Sequence, residues 1–157
     1  MPDMLVRLYA LKDNTQVYKE LEEQGIRIIR PMTPNKDKVH AWIVEHFSEG
    51  WANEIDTAFT RHPVSCFIAY DVNENKILGF GGYDCTYKAF FGPTGVDVTY
   101  RGKGIGKVLC LRCMEALRDE GYGYAIIGSI GPKAFYENVC AATIIEGSDP
   151  GIYSSLI

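Results

Sequence analysis

Seven consecutive residues, Arg101-Gly102-Lys103-Gly104-Ile105-Gly106-Lys107, combine three glycines with three cations. They stand between an extended stretch, Thr94–Tyr100, and a helical repeat that runs from Ile105 to Glu120. Glycine lets a chain coil tightly and leaves its N–H groups open to a close ligand. A helix start adds unpaired N–H donors and the positive end of the helix dipole. The cations add charge of the same sign, so the segment reads as a seat for an anion, above all a phosphate or diphosphate.

Two common phosphate loops fail here on spacing. A dinucleotide loop needs G-x-G-x-x-G, and counted from Gly102 its third glycine falls on Lys107. A nucleoside-triphosphate loop needs G-x-x-x-x-G-K followed by Ser or Thr. Arg101 stands at its first glycine and Val108 at its hydroxyl position. A third pattern, Gln/Arg-x-x-Gly-x-Gly/Ala, is met at every fixed position by Arg101, Gly104 and Gly106. On this loop the chain resembles the GCN5-related N-acetyltransferase (GNAT) family, whose signature loop holds the pyrophosphate of acetyl-coenzyme A. The flanks agree with the resemblance. Thr94–Tyr100 stands where the family has its fourth strand and Tyr124–Gly128 where it has its fifth. Ala134-Phe135-Tyr136-Glu137-Asn138 looks like the family's F-Y-E-x run. The resemblance extends from about Ile26 to the C-terminus.

It implies an α/β GNAT fold: a mixed, mostly antiparallel central sheet with helices on both faces and with strands 4 and 5 splayed apart. An N-terminal strand–helix extension precedes it. A chain of 157 residues, 46% hydrophobic, suits one domain. Residues 26–157 would form its core and 1–25 an extension, by default an added edge strand or a dimer contact.

The implied reaction moves acetyl from acetyl-CoA, a cosubstrate, to a primary amine of a small molecule or peptide, by direct attack in a ternary complex. Arg101, Gly102, Lys103, Gly104, Ile105, Gly106 and Lys107 would seat the diphosphate. The backbone of Thr94, Gly95 and Val96 would take pantetheine as an added strand, and Gly95, lacking a side chain, suits the gap. Ser129, where the family often has asparagine, completes the cofactor-binding set. The Val96 N–H is the candidate donor to the thioester carbonyl and the tetrahedral oxyanion. Tyr136 matches the family's general acid, since a phenol with a pKa of about 10 stays protonated at neutrality beside a thiol of about 8.5. The base is less marked. Tyr124–Ile130 lacks the acid that the family often carries there. Asp84, Glu54 and Asp97 are the candidates, with Asp84 first. That missing acid keeps an alternative open, a non-catalytic acyl-CoA-binding sensor or regulatory protein on the same fold.

Composition narrows the partners. A net charge of -4 and a pI near 5.4 argue against nucleic acid. No apolar run reaches membrane-span length and no secretory signal opens the chain. Five cysteines, an odd number, fit a reducing cytoplasm. Cys110 and Cys113 lie inside a helical repeat and read as buried small side chains. His40, His46 and His62 make no metal-ligand spacing, so no metal is expected. The family often pairs, which leaves a homodimer open.

The remaining elements follow from periodicity. Met4–Leu11 reads as a strand, Gln16–Gln24 as a helix stopped at Gly25, and Ile26–Arg30 as a strand. Lys36–Arg61 reads as a long helix broken at Gly50. It carries Trp42, Phe47 and Trp51, for most of which core packing is expected. Ser65–Asp71 and Lys76–Asp84 read as strands joined by a turn at 72–75, with Gly81-Gly82 marking a bulge or a close approach. Gly121 and Gly123 stop the helix after the loop.

Overall fold

From Ile77 to Tyr83 every residue is buried, as a strand covered on both faces requires. The computed structural model, which describes residues 1–157, builds a sheet around it. The strands are β1 (Asp3–Arg7), β2 (Ile26–Ile29), β3 (Cys66–Asp71), β4 (Lys76–Tyr83), β5 (Phe90–Val96), β6 (Tyr124–Ile127) and β7 (Thr143–Ile145). Their order is β2-β3-β4-β5-β6-β1-β7. Every pairing is antiparallel except β5 with β6. Helices α1 (Thr15–Glu23), α2 (Lys36–His46), α3 (Glu49–Asp56), α4 (Ile105–Asp119) and α5 (Lys133–Cys140) complete the fold. The larger core gathers α1, α4 and α5 on one face of the sheet. The smaller holds α2 and α3 on the other.

Two packing details set the position of α4. Its apolar residues, Ile105, Val108, Leu109, Cys113 and Leu117 among them, are all buried. Gly79 lets the helix come close: a β-carbon there would lie 2.9 Å from the Gly95 carbonyl oxygen and 3.2 Å from Leu109 Cδ1. The N-terminal end of α4 is thereby pressed onto the β4–β5 pair.

Several sequence expectations are corrected. The first strand ends at Arg7, and Leu8–Ala10 is a 3-10 turn. It is no edge strand: β1 lies between β6 and β7. The long helix breaks at Phe47–Ser48 rather than at Gly50, because the Ser48 hydroxyl caps α3 by accepting the Trp51 N–H (3.2 Å). The strand before the loop starts four residues earlier than its apolar pattern suggested, at Phe90. It ends at Val96, because the Asp97 carboxylate accepts the Thr99 N–H (2.9 Å) and starts a 3-10 turn at Val98–Tyr100. Of the two readings of Gly81-Gly82, the close approach is present at Gly82, while the bulged residues lie opposite it in β5. The β4–β5 register shifts between Gly81 and Tyr83, and a β-carbon on Gly82 would lie 2.5 Å from Ile55 Cδ1. All five cysteines are buried and free.

Candidate active site

The loop expected to seat an anion is open and ends in an uncapped helix start. Gly102 and Gly104 take φ of +81° and +87°, a region that favours glycine, and a β-carbon on either would meet nothing within 4 Å. Gly104 is the N-cap of α4, and no side chain caps it; no acidic residue lies in the first turn. The first intrahelical bond runs from the Val108 N–H to the Gly104 carbonyl (3.1 Å). The N–H groups of Ile105, Gly106 and Lys107 are therefore left for an external acceptor. Arg101 and Lys103 are exposed and Lys107 is half-buried. None of the three is paired with a carboxylate. An uncapped positive helix end flanked by free cations fits a diphosphate.

The strand leading into this loop opens the sheet. β5 and β6 pair only at Phe90–Ile126 and Phe91–Ile127. Beyond Phe91 the two strands have no register and diverge. A bulge decides which groups face the opening. The Asp84 N–H donates to the Phe90 carbonyl (2.9 Å), so Phe90 bonds toward β4 and Phe91 toward β6. The Asp97 N–H donates to the Leu78 carbonyl (2.8 Å), so at the far end Asp97 and Gly95 bond toward β4. One extra residue between them, at Gly92-Pro93, reverses the alternation. The N–H and C=O groups of Thr94 and Val96 consequently point into the opening. This is the orientation an added strand of amides needs, and it leads into the diphosphate seat.

Tyr136 lies under the α4 face, 6% exposed, with its ring edge-on to Phe91 (6.3 Å between centroids) and Phe135 (5.1 Å). Phe91 is the last β5 residue paired with β6, so Tyr136 stands at the divergence point. Its hydroxyl has no hydrogen-bond partner in the chain. Burial, and then the Cys110 and Cys140 thiols, raise its pKa, and it stays a proton donor well into alkaline pH.

The other expected residues are placed as follows. The Gly95 side-chain space is filled by the Phe47 ring, which correctly assigns its missing side chain to the α2–α3 face and not to the strand gap. The Ser129 N–H donates to Asp3 Oδ1 (2.8 Å) and the residue takes φ +45°. Asp84, 5% exposed, is fully engaged. It accepts from Arg61 Nη1 (2.8 Å), the Ala89 N–H (2.6 Å) and the Tyr122 hydroxyl (3.3 Å). It follows β4 at the paired end of the opening, three residues beyond Gly81, the partner of Thr94. Asp97 accepts from Thr99 and faces His46 Nε2 (3.5 Å).

Glu54, on α3, accepts from the Thr86 hydroxyl (2.6 Å). On the same face Phe47 stacks with Trp51 (5.3 Å) above Phe80. Tyr153, in the C-terminal 3-10 turn Gly151–Ser155, was not expected at the site. Its hydroxyl fills the space of the missing Gly128 side chain, just past the last β6 pair. One tyrosine among ten, in a turn without periodicity, carries no sequence signal.

The fold agrees with the comparisons. The acetyltransferase (GNAT) family model matches residues 30–140. The chain belongs to that family. No match was found among curated proteins. Among solved structures, a GCN5-related glucosamine N-acetyltransferase region of a fungal multi-domain GH3 β-N-acetylglucosaminidase is similar at a TM-score of 0.75 and 13% identity, over 92% of this chain and 19% of that one. A GCN5-related N-acetyltransferase of Sphaerobacter thermophilus is similar at 0.64 and 15%, over 92% and 48%. A GNAT acetyltransferase of Brucella melitensis, solved with acetyl-CoA, is similar at 0.55 and 15%, over 76% and 86%. The chain thus spans a fifth and a half of the first two. At these identities the likeness shows the shared fold. The splayed pair, β5 and β6 here, holds the place of the family's fourth and fifth strands, since β1 adds one to the count. No helix is long and apolar enough to cross a membrane.

Proposed function

We propose that the chain is an N-acetyltransferase that moves acetyl from acetyl-CoA to a primary amine of a small molecule or peptide, by direct attack in a ternary complex. One observation carries this reading: the outward amides of Thr94 and Val96 stand on the strand that leads through a short turn into the uncapped α4 terminus. The loop 101–107 binds the diphosphate, and Thr94 and Val96 bind the pantetheine amides. Bound acetyl-CoA supplies an activated acyl group with a thiolate leaving group. The Val96 N–H donates to the carbonyl oxygen as negative charge develops on it. Tyr136 donates its proton toward the departing sulfur. The acceptor enters from the α2–α3 face, because α4 and its core fill the other.

Calorimetric titration with CoA, paired with thiol release across an amine panel, tests the reading. Gly104→Val puts a branched side chain at φ +87° in the seat and lowers CoA affinity at least about a hundredfold. Tyr136→Phe keeps CoA affinity and slows thiol release by about a hundredfold. Full affinity in the Gly104 variant would reject the seat. Tight binding by the wild type with no thiol release from any amine would favour an acyl-CoA sensor.

A further inference from the structure

Buried tyrosine hydroxyls in this chain are generally satisfied. The hydroxyl of buried Tyr83 is bonded to Arg30, and those of half-buried Tyr18 and Tyr122 to Glu115 and Asp84. Tyr136 and the half-buried Tyr153 have no partner, and both stand where β5 and β6 part. They do so on opposite faces. Ala125 and Ile127 of β6 enter the α4-side core, so the next positions alternate and the Gly128 side-chain space opens toward α3. The Tyr153 hydroxyl occupies that space, and the Phe90 ring would lie 3.2 Å from a β-carbon there. Tyr136 belongs to the α4-side core.

A carboxylate, Glu54 of α3, lies on this same face of the sheet. Phe90 packs edge-on against Tyr87 (5.7 Å), and the neighbouring Thr86 hydroxyl donates to Glu54. The Tyr153 pKa is pushed up to about 12, first by burial, then by Glu54, then by Asp3. Asp3 in turn holds the Ser129 N–H and lies beside Gly151, which fixes the C-terminal turn against β1. Tyr153 lies outside the part of the chain that the family shares, residues 30–140.

We propose that Tyr153 is a second catalytic tyrosine, which relays the acceptor amine's proton toward the Glu54 carboxylate from the sheet face opposite Tyr136. The inference rests on the acetyl-transfer reading and names a proton path for it. The amine lone pair forms the C–N bond while the carbonyl π pair moves onto the oxygen held by Val96. The nitrogen's proton passes to Tyr153 Oη as the proton of Tyr153 passes toward Glu54. Collapse breaks the C–S bond; the sulfur leaves with the bonding pair and takes the Tyr136 proton. Glu54 releases its proton to solvent and Tyr136 regains one from it, so the sum is amide plus free thiol.

The test uses the whole chain with 13C-labelled tyrosine side chains, assigned by Tyr136→Phe and Tyr153→Phe. The probe is S-acetonyl-CoA, whose ketone replaces the cleavable thioester. Saturating probe shifts the ring signals of both tyrosines, and Glu54→Gln lowers the pH at which the Tyr153 signal titrates. With phenethylamine and hydroxylamine as probe acceptors, Tyr153→Phe lowers kcat about a hundredfold and leaves the acetyl-CoA KM unchanged. If neither amine is acetylated, the ring signals decide. Probe binding with no Tyr153 response, or wild-type kcat in Tyr153→Phe, overturns this inference alone. No heat on titrating the probe overturns the acetyl-transfer reading beneath it.

Discussion

Gly95 separates two accounts of the site, and Gly95→Ala tells them apart. A β-carbon at this position would lie 2.7 Å from Cε1 and Cε2 of Phe47, with the ring tip closer still. The ring has nowhere to swing. It is bracketed by Trp51 (5.3 Å between centroids), Phe80 (5.7 Å) and Trp42 (6.0 Å). Overpacking of this kind costs about 1–3 kcal/mol, and for a chain of this size about 2 kcal/mol lowers Tm by roughly 4–8 °C. Trimming the ring with Phe47→Leu relieves the clash. The double variant is then less destabilised than the sum of the singles, by about 1–2 kcal/mol, within the range measured for contacting pairs. Urea unfolding with an unchanged slope reads the three values. CoA titration runs beside it. Because the amides of Thr94 and Val96 are untouched, Gly95→Ala keeps its CoA affinity within a few-fold. Additive stabilities would refute the Phe47 contact. A stable Gly95→Ala that no longer binds CoA, with no rescue by Phe47→Leu, would return the glycine to the ligand gap.

Two further outcomes follow from the buried ionisable groups. Asp84→Ala removes an acceptor of three hydrogen bonds, so stability falls by about 2–4 kcal/mol, while thiol release per folded molecule stays at the wild-type level. A large loss of kcat at intact stability would instead restore Asp84 as the base. Burial is the first cause of raised pKa values at Tyr18, Tyr83, Tyr122, Tyr136 and Tyr153. In the unfolded chain these phenols ionise near about pH 10, while the folded state still holds their protons. Their contribution is complete below that pH and is lost as pH rises through the higher folded values. The urea midpoint therefore declines as pH rises above about 10; a flat profile would contradict the burial.

The open, uncapped loop at 101–107 was legible because the features that shape it lie within seven residues. Positive φ at Gly102 and Gly104 and an uncapped helix start depend only on near neighbours. The helix that carries Tyr136 was legible for the same reason, from a local run just after a strand. For Asp84 the sequence neighbourhood says nothing of Arg61 or Tyr122, which bond its carboxylate from 23 and 38 residues away.

What the tertiary structure alone decided is orientation across the sheet. One extra residue at Gly92-Pro93 turns the amides of Thr94 and Val96 into the opening, and a local pattern does not show which partner strand lacks that residue. β1 enters between β6 and β7, so the first residues of the chain brace the site through Asp3. Tyr153 reaches Gly128 from a turn with no periodic signature. Backbone propensities act over a few residues, whereas strand order and cross-face contacts are settled by burial summed over the whole chain.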